Sequence, residues 1–247
     1  PIRKLLLREL LVLIVPLILV FLGLTWFGTA RILEDQLEAR SRESLDRMVR
    51  DVRSQLETAE QASRTLEGWW HGGRLPLESP PTLEQLLRPL LESHPILSDI
   101  TLVTPEGRGV TLTRHANGRI QSYAFTPHGD GTRYLELAST DPTHPPTPID
   151  RPERLSERPW FRHGASQELA SWAPTYPFLS APQHGISHVT PLRDLDGKLR
   201  AVTCIDLLLS PLSQRLDTAR PTPGSLFLIC DEQRRALLFP PQFPKGI

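Results

Sequence analysis

Arg158, Trp160, Phe161, Trp172, Tyr176 and Asp206 are the residues of this chain whose types and spacing suit chemistry. An arginine offers a planar fork of N–H donors that matches a carboxylate or a phosphate. The rings of Trp160, Phe161, Trp172 and Tyr176 have the size and polarity to line a small pocket and to hold a cation on a π-face. Asp206 closes the apolar run AVTCI, and a carboxylate in such a place needs a partner, either a ligand ammonium or Arg158. A helix cap is the structural alternative for Asp206, but Ser210-Pro211 makes a better helix start. For Arg158 and Trp160 the alternative is packing within a loop.

Other chemistries find little support. His184 and His188 are four apart, but Gly185 and the strand-like ISHVT segment argue against a shared helix face. His163 has no carboxylate or cysteine companion, and a metal site needs three or four convergent ligands. Neither a P-loop, nor HExxH, nor a Ser-His-Asp order is present, so neither catalysis nor a cofactor is expected in this portion. Cys204 and Cys230 both lie in apolar, strand-like runs and read as buried free thiols; their pairing would need close, aligned Cβ atoms.

These residues require elements to hold them, and the first is not part of a globular domain. Leu10–Ala30 is an apolar run without a charge, long enough as a helix to span a hydrocarbon core of about 30 Å. Arg3, Lys4 and Arg8 precede it against Glu9 alone, which places the N-terminus in the cytoplasm and all that follows outside. A cleaved signal peptide ending at Gly28-Thr29-Ala30 is the competing reading; its apolar core is usually shorter, about 7–15 residues. Over 31–70, Leu33, Leu37, Leu45, Met48, Val52, Leu56, Ala59 and Leu66 recur at helical spacing with charges on the other faces. The apolar stripe must cover a partner helix or the domain downstream.

A second helix is expected at Thr82–Ser93, with Thr82 as N-cap and Gln85 completing a capping box. Strands follow at Ile100–Val103, Gly109–Thr113, Arg119–Phe125 and Arg133–Ala138, then a proline-rich connection over Asp141–Pro159. Gly185–Thr190 and Leu199–Ile205 read as two more strands joined by Asp194-Leu195-Asp196-Gly197. A short helix should run from Ser210 to about Thr218, and Ser225–Cys230 with Arg235–Phe239 should begin a new hairpin. Lys+Arg and Asp+Glu balance at 28 each, so charge gives no argument for a nucleic-acid partner. The 25 prolines are interleaved with Trp, Leu and Val and mark ordered loops. The chain opens without Met and stops without a closing element, which suggests a piece of a longer protein.

In this order the sequence resembles the double Cache sensor region of bacterial chemoreceptors, histidine kinases and diguanylate cyclases. The likeness rests on ITLVTPEG (100–107), RPWF (158–161), WAPTY (172–176), and Val189–Leu209 running into Ser225–Pro240. It implies an α+β fold: a transmembrane helix at 10–30 after a cytoplasmic stretch at 1–9, a stalk helix at 31–73, a PAS-like antiparallel-sheet domain distal to the membrane at 74–220, and the start of a membrane-proximal domain at 221–247. It further implies a small-molecule ligand (an amino acid, amine or organic acid) in the distal domain, a homodimer through the stalk, and a cytoplasmic output domain outside this sequence. In amino-acid-binding members, Arg and Trp of an Arg-x-Trp-aromatic motif hold the ligand carboxylate, while a downstream Asp and a leading Tyr hold its ammonium. Arg158, Trp160, Phe161 and Asp206 match that pattern; Glu153 stands where the leading Tyr would be. A Cache-like module without a ligand, acting in dimerisation alone, is the alternative.

Overall fold

Every residue of the strand β1, Leu97–Val103, is buried, although the segment LSDITLV mixes apolar and polar side chains. The reason is its place between two covered faces. β1 lies inside a nine-stranded sheet of order β5-β4-β3-β2-β1-β9-β8-β6, with β7 also paired to β8. The pairings that build it are all antiparallel. Because side chains alternate along a strand, Ile100 and Leu102 turn to one face while Asp99, Thr101 and Val103 turn to the other.

The computed structural model describes residues 2–137, 147–174, 176–177, 184–208, 229–230 and 236–238, and within the first helix the side chains of 14–26, 36 and 38–71. Its strands are β1, β2 (Gly109–Arg114), β3 (Ile120–His128), β4 (Gly131–Glu136), β5 (Ile149–Arg151), β6 (Ser171–Trp172), β7 (Tyr176–Pro177), β8 (His184–Arg193) and β9 (Leu199–Leu208). β10 (Ile229–Cys230) and β11 (Ala236–Leu238) form a separate pair. The helices are α1 (Ile2–His71), α2 (Pro80–Ser93) and α3 (Pro159–Ser166). The strands expected between 100 and 205 are present, most of them longer than the pattern suggested and β4 shifted by two residues; of the hairpin expected at 225–239, Ile229–Cys230 and Ala236–Leu238 lie among the described residues. The expected helix at 210–218 lies outside the described residues.

Three of the tight connections share one construction. Gly107, Gly118 and Gly197 have φ of 82°, 81° and 78°. Each donates its N–H to the carbonyl three residues back: Thr104, His115 and Asp194, respectively. Those three residues in turn bond the residue after the glycine, at Arg108, Arg119 and Lys198. Left-handed backbone at the fourth position favours glycine, and such turns join the antiparallel strands β1–β2, β2–β3 and β8–β9.

One face of the sheet is covered by helices. Ala59, Ala62 and Leu66 of α1 are buried, a stripe at spacings of three and four. With Leu83, Leu87 and Leu91 of α2 they close over Leu102, Val110, Leu112, Leu192 and Ile205. Trp70 Nε1 donates to the Arg193 carbonyl at 2.6 Å, and Arg114 donates to the Leu91 and Leu97 carbonyls, which pins the helix ends to the strands. α2 begins earlier than the capping box implied. Ser79 is its N-cap, Pro80 and Pro81 occupy its first positions, and Thr82 lies inside, its hydroxyl 2.7 Å from that of Ser79. Proline is pre-shaped for a first turn, so the Pro-Pro pair outweighed the Thr-Gln signal.

The chain divides into two compact units, 1–50 with 219–225 and 51–218 with 226–247. In the first, the apolar run is helical around Pro16, and the large side chains Ile14–Leu22, Leu24 and Trp26 are exposed to between 41% and 77%. Arg42–Glu38 and Arg47–Glu43 pair at 2.6 and 3.0 Å one turn apart. Among the described residues no helix is long and apolar enough to cross a membrane.

Candidate functional site

On the face away from α1 and α2 the sheet does not close completely. α3 covers β8 and β9, where Trp160 and Phe161 are buried among Val189, Val202 and Cys204. The approach is tight: a Cβ at Gly164 would meet Val202 Cγ1 at 2.7 Å. Beyond the start of α3, over β1, β2 and β3, a cavity of about 200 Å³ remains. Its floor is polar where the other face is apolar: Asp99 and Thr101 from β1, Thr111 and Thr113 from β2, and Asp206 from β9. Its walls are Tyr123, Tyr134, Arg151, Arg158, Trp160 and Tyr176.

The start of α3 presents the arginine. Arg158 is the N-cap with Pro159 at the first helical position, so its backbone is extended, as a residue before proline prefers. Its N–H bonds the Leu155 carbonyl at 3.2 Å, which ties the cap to the preceding 3-10 turn. The guanidinium carbon lies 5.4 Å from the centre of the Tyr176 ring, and that of Arg151 lies 5.8 Å from the Tyr134 ring. Both arginines therefore rest on aromatic walls of the cavity. Burial pushes the Tyr134 phenol up to about 12, so it stays a neutral donor.

Asp206 is held by neutral donors. Ser187 Oγ and Cys204 Sγ both donate to its Oδ1, the latter at 3.1 Å. The Tyr176 hydroxyl bonds Ser187 Oγ at 2.7 Å. Burial, and then the charge of Asp99, raise the Asp206 carboxyl to about 7. Burial likewise lifts the Tyr176 phenol and the Cys204 thiol, so neither is an anion here. Cys204 is a free thiol.

Four of the six residues singled out in the sequence meet at the cavity: Arg158, Trp160, Tyr176 and Asp206. Phe161 and Trp172 do not line it. Phe161 points into the packing between α3 and the sheet. Trp172 lies on the opposite face, stacked edge-on against His188 at 4.9 Å, with its Nε1 donating to Glu60 of α1 at 3.2 Å. Strand register decides this: Trp172 pairs with His188, whose ring faces Ser63 of α1 at 2.7 Å. His188 is thus a buried polar link between α1 and the sheet, and burial lowers its pKa. Among the described residues no cluster of His, Cys, Asp or Glu suits a metal ion.

Sequence reasoning missed Asp99, Tyr123, Tyr134 and Arg151. Asp99 carried the same signal as Asp206, a carboxylate in an apolar run. The other three had no local signal, since they reach the cavity only through the pairing of β3, β4 and β5.

No family model matches the chain, and no curated protein matches it either. Solved structures do. The ligand-binding domain of the Campylobacter jejuni chemoreceptor Tlp3, in complex with L-valine, is 15% identical over 83% of this chain and 71% of that one, with a TM-score of 0.51. A methyl-accepting chemotaxis protein X gives 14%, 76%, 69% and 0.54 in the same order. The extracellular domain of soHK1S-Z6, described as a histidine kinase, gives 18%, 87%, 73% and 0.51. The fold is shared with these structures.

Proposed function

We propose that this chain is the ligand-sensing, extracytoplasmic part of a membrane-bound signal-transduction receptor. The observation that carries this reading is the cavity on the open face of the sheet. There an arginine, aromatic walls and a buried carboxylate converge from α3, β3, β4, β7 and β9. Arg158 with Trp160 would take the carboxylate of an amino acid or organic acid, and Asp206 the ammonium of an amino acid or amine. No catalytic step is assigned to this portion. The basic residues before the apolar run, its helical backbone and its exposed side chains support a membrane anchor at 10–30. The distal sensor domain would occupy 74–220, with a proximal domain beginning at 221. α1 would serve as stalk, pair with a second copy and carry the change in packing to a cytoplasmic output domain.

The test is thermal denaturation of the full chain, in detergent, against amino acids, amines and organic acids. At least one compound should raise the midpoint, and Arg158→Ala should weaken it about 10- to 100-fold, the range for a lost hydrogen bond to a charged group. Silence across all three classes would favour the ligand-free dimerisation module instead.

A further inference from the structure

Asp99 lies directly across from Asp206, β1 against β9 in the antiparallel register. Opposed residues on such strands hold their Cβ atoms about 4.5–5.5 Å apart. Both side chains open on the cavity, and both residues are under 10% exposed, Asp99 at 4% and Asp206 at 9%. A like-charge pair at this spacing is destabilising in a sheet, and the neighbouring couple, Thr101 opposite Cys204, is neutral. Around the acids stand neutral donors: Thr113 Oγ1 bonds Asp99 Oδ1, as Ser187 and Cys204 bond Asp206. The site therefore supplies two carboxylates and several hydroxyls to whatever fills the floor of the cavity, with aromatic rings beside them.

We propose that Asp99 and Asp206 together form a subsite for a primary ammonium group, and that a ligand enters it with release of one proton from the pair to solvent. The inference rests on the ligand-sensing reading above and adds to it a second acid, a cation preference and a proton linkage. Two buried carboxylates so close do not both stay ionised in an empty site, so the pair shares a proton. The raised pKa of Asp206 agrees with that arrangement. An ammonium has three N–H donors and a positive charge. On binding it keeps its protons and donates to oxygens of both acids, while the shared carboxyl proton passes to water. Other groups face the pair as well. Cys204 and Tyr176 stay neutral. Arg151 and Arg158 hold the walls above, Tyr123 and Tyr134 line the side, and His115 borders the cavity.

The experiment uses the full chain and three matched probe series: L-valine, L-isoleucine and L-alanine; their amines without the carboxylate; and their acids without the amino group. Titration calorimetry at pH 6, 7 and 8, in two buffers of different ionisation enthalpy, counts the protons released. For the aminated probes, affinity should rise up to about tenfold per pH unit below pH 7 and then level off, with close to one proton released per site at pH 6 and progressively less at pH 7 and 8. Asp99→Asn should weaken them at least tenfold and abolish the proton release, while His115→Gln leaves the release unchanged. Should Asp99→Asn not fold, the wild-type proton count decides alone. Acids that bind while amines do not would overturn the subsite and leave the sensor reading intact. Aminated probes that bind at pH 6 without proton release would overturn the shared proton. No binding in any series would remove both readings together.

Discussion

The two faces of the nine-stranded sheet are made by alternate residues of the same strands, yet they are built for different ends. Toward α1 and α2, β1, β2 and β9 present Ile100, Leu102, Val110, Leu112 and Ile205, all fully buried. Toward the cavity the same strands present Asp99, Thr101, Thr111, Thr113 and Asp206. A fully buried Leu or Ile contributes about 1.5–3 kcal/mol, whereas taking a carboxylate out of water is a cost. One face therefore holds the fold together, and the other spends part of that stability on a polar recess. The contrast breaks most visibly at neighbouring residues. Leu102→Ala should cost about 2–5 kcal/mol, and Thr101→Val about 1 kcal/mol or less, read from chemical denaturation midpoints. Equal losses at the two positions would mean that the cavity face is packed as tightly as the helix face.

That contrast also shows which parts of the molecule were legible from sequence. The long strands were, because glycine turns and β-branched runs mark them locally; Thr104–Gly107 and Asp194–Gly197 are where the pattern put them, whereas β5, β6 and β7, of two or three residues each, carry no such signal. Face assignment was less accessible. Asp206 stood out as a charge among apolar residues, while the equivalent Asp99 was passed over because β1 begins at Leu97 rather than Ile100. Trp172 has the side chain of a pocket wall, but strand parity sends it to Glu60 and His188 on the other face. Phe161 and Trp160 are neighbours in sequence, but both lie on the helix α3, where adjacent residues do not share a face. Arg151 and Tyr134 depend on the pairing of β4 with β5, strands separated by a proline-rich connection that carries no register signal.

The helix face has its own polar exception, and removing it sharpens the comparison. Ser63 of α1 and His188 of β8 are both buried, with Ser63 Oγ 2.7 Å from His188 Nδ1. Ser187, the adjacent residue, points the other way to Asp206. Ser63→Ala would leave the buried ring nitrogen without that partner and should cost about 1–3 kcal/mol. Thermal denaturation of the variant beside wild type measures it. A loss confined to the range of surface substitutions, about 0.5 kcal/mol, would show that the α1–β8 link contributes packing alone.

The smallest effect separates the faces by the sign of their pH dependence. His188 has a pKa below its ordinary 6.5, because burial disfavours the charged ring. Its contribution is therefore intact above pH 6.5 and is lost as pH falls toward its folded value. Asp206 has a pKa raised from 3.8 to about 7, so its contribution is intact below pH 3.8 and is lost as pH rises through about 7. Just below pH 6.5 the two groups thus oppose each other, each by less than about 1.4 kcal/mol per pH unit. Difference profiles isolate them from the other titrating groups. Relative to wild type, Asp206→Asn should lose ground as pH falls and gain it as pH rises, while His188→Gln should do the reverse. Two difference profiles of the same slope would mean that the cavity acids and the helix-side imidazole do not occupy the separate environments that the alternation of side chains gives them.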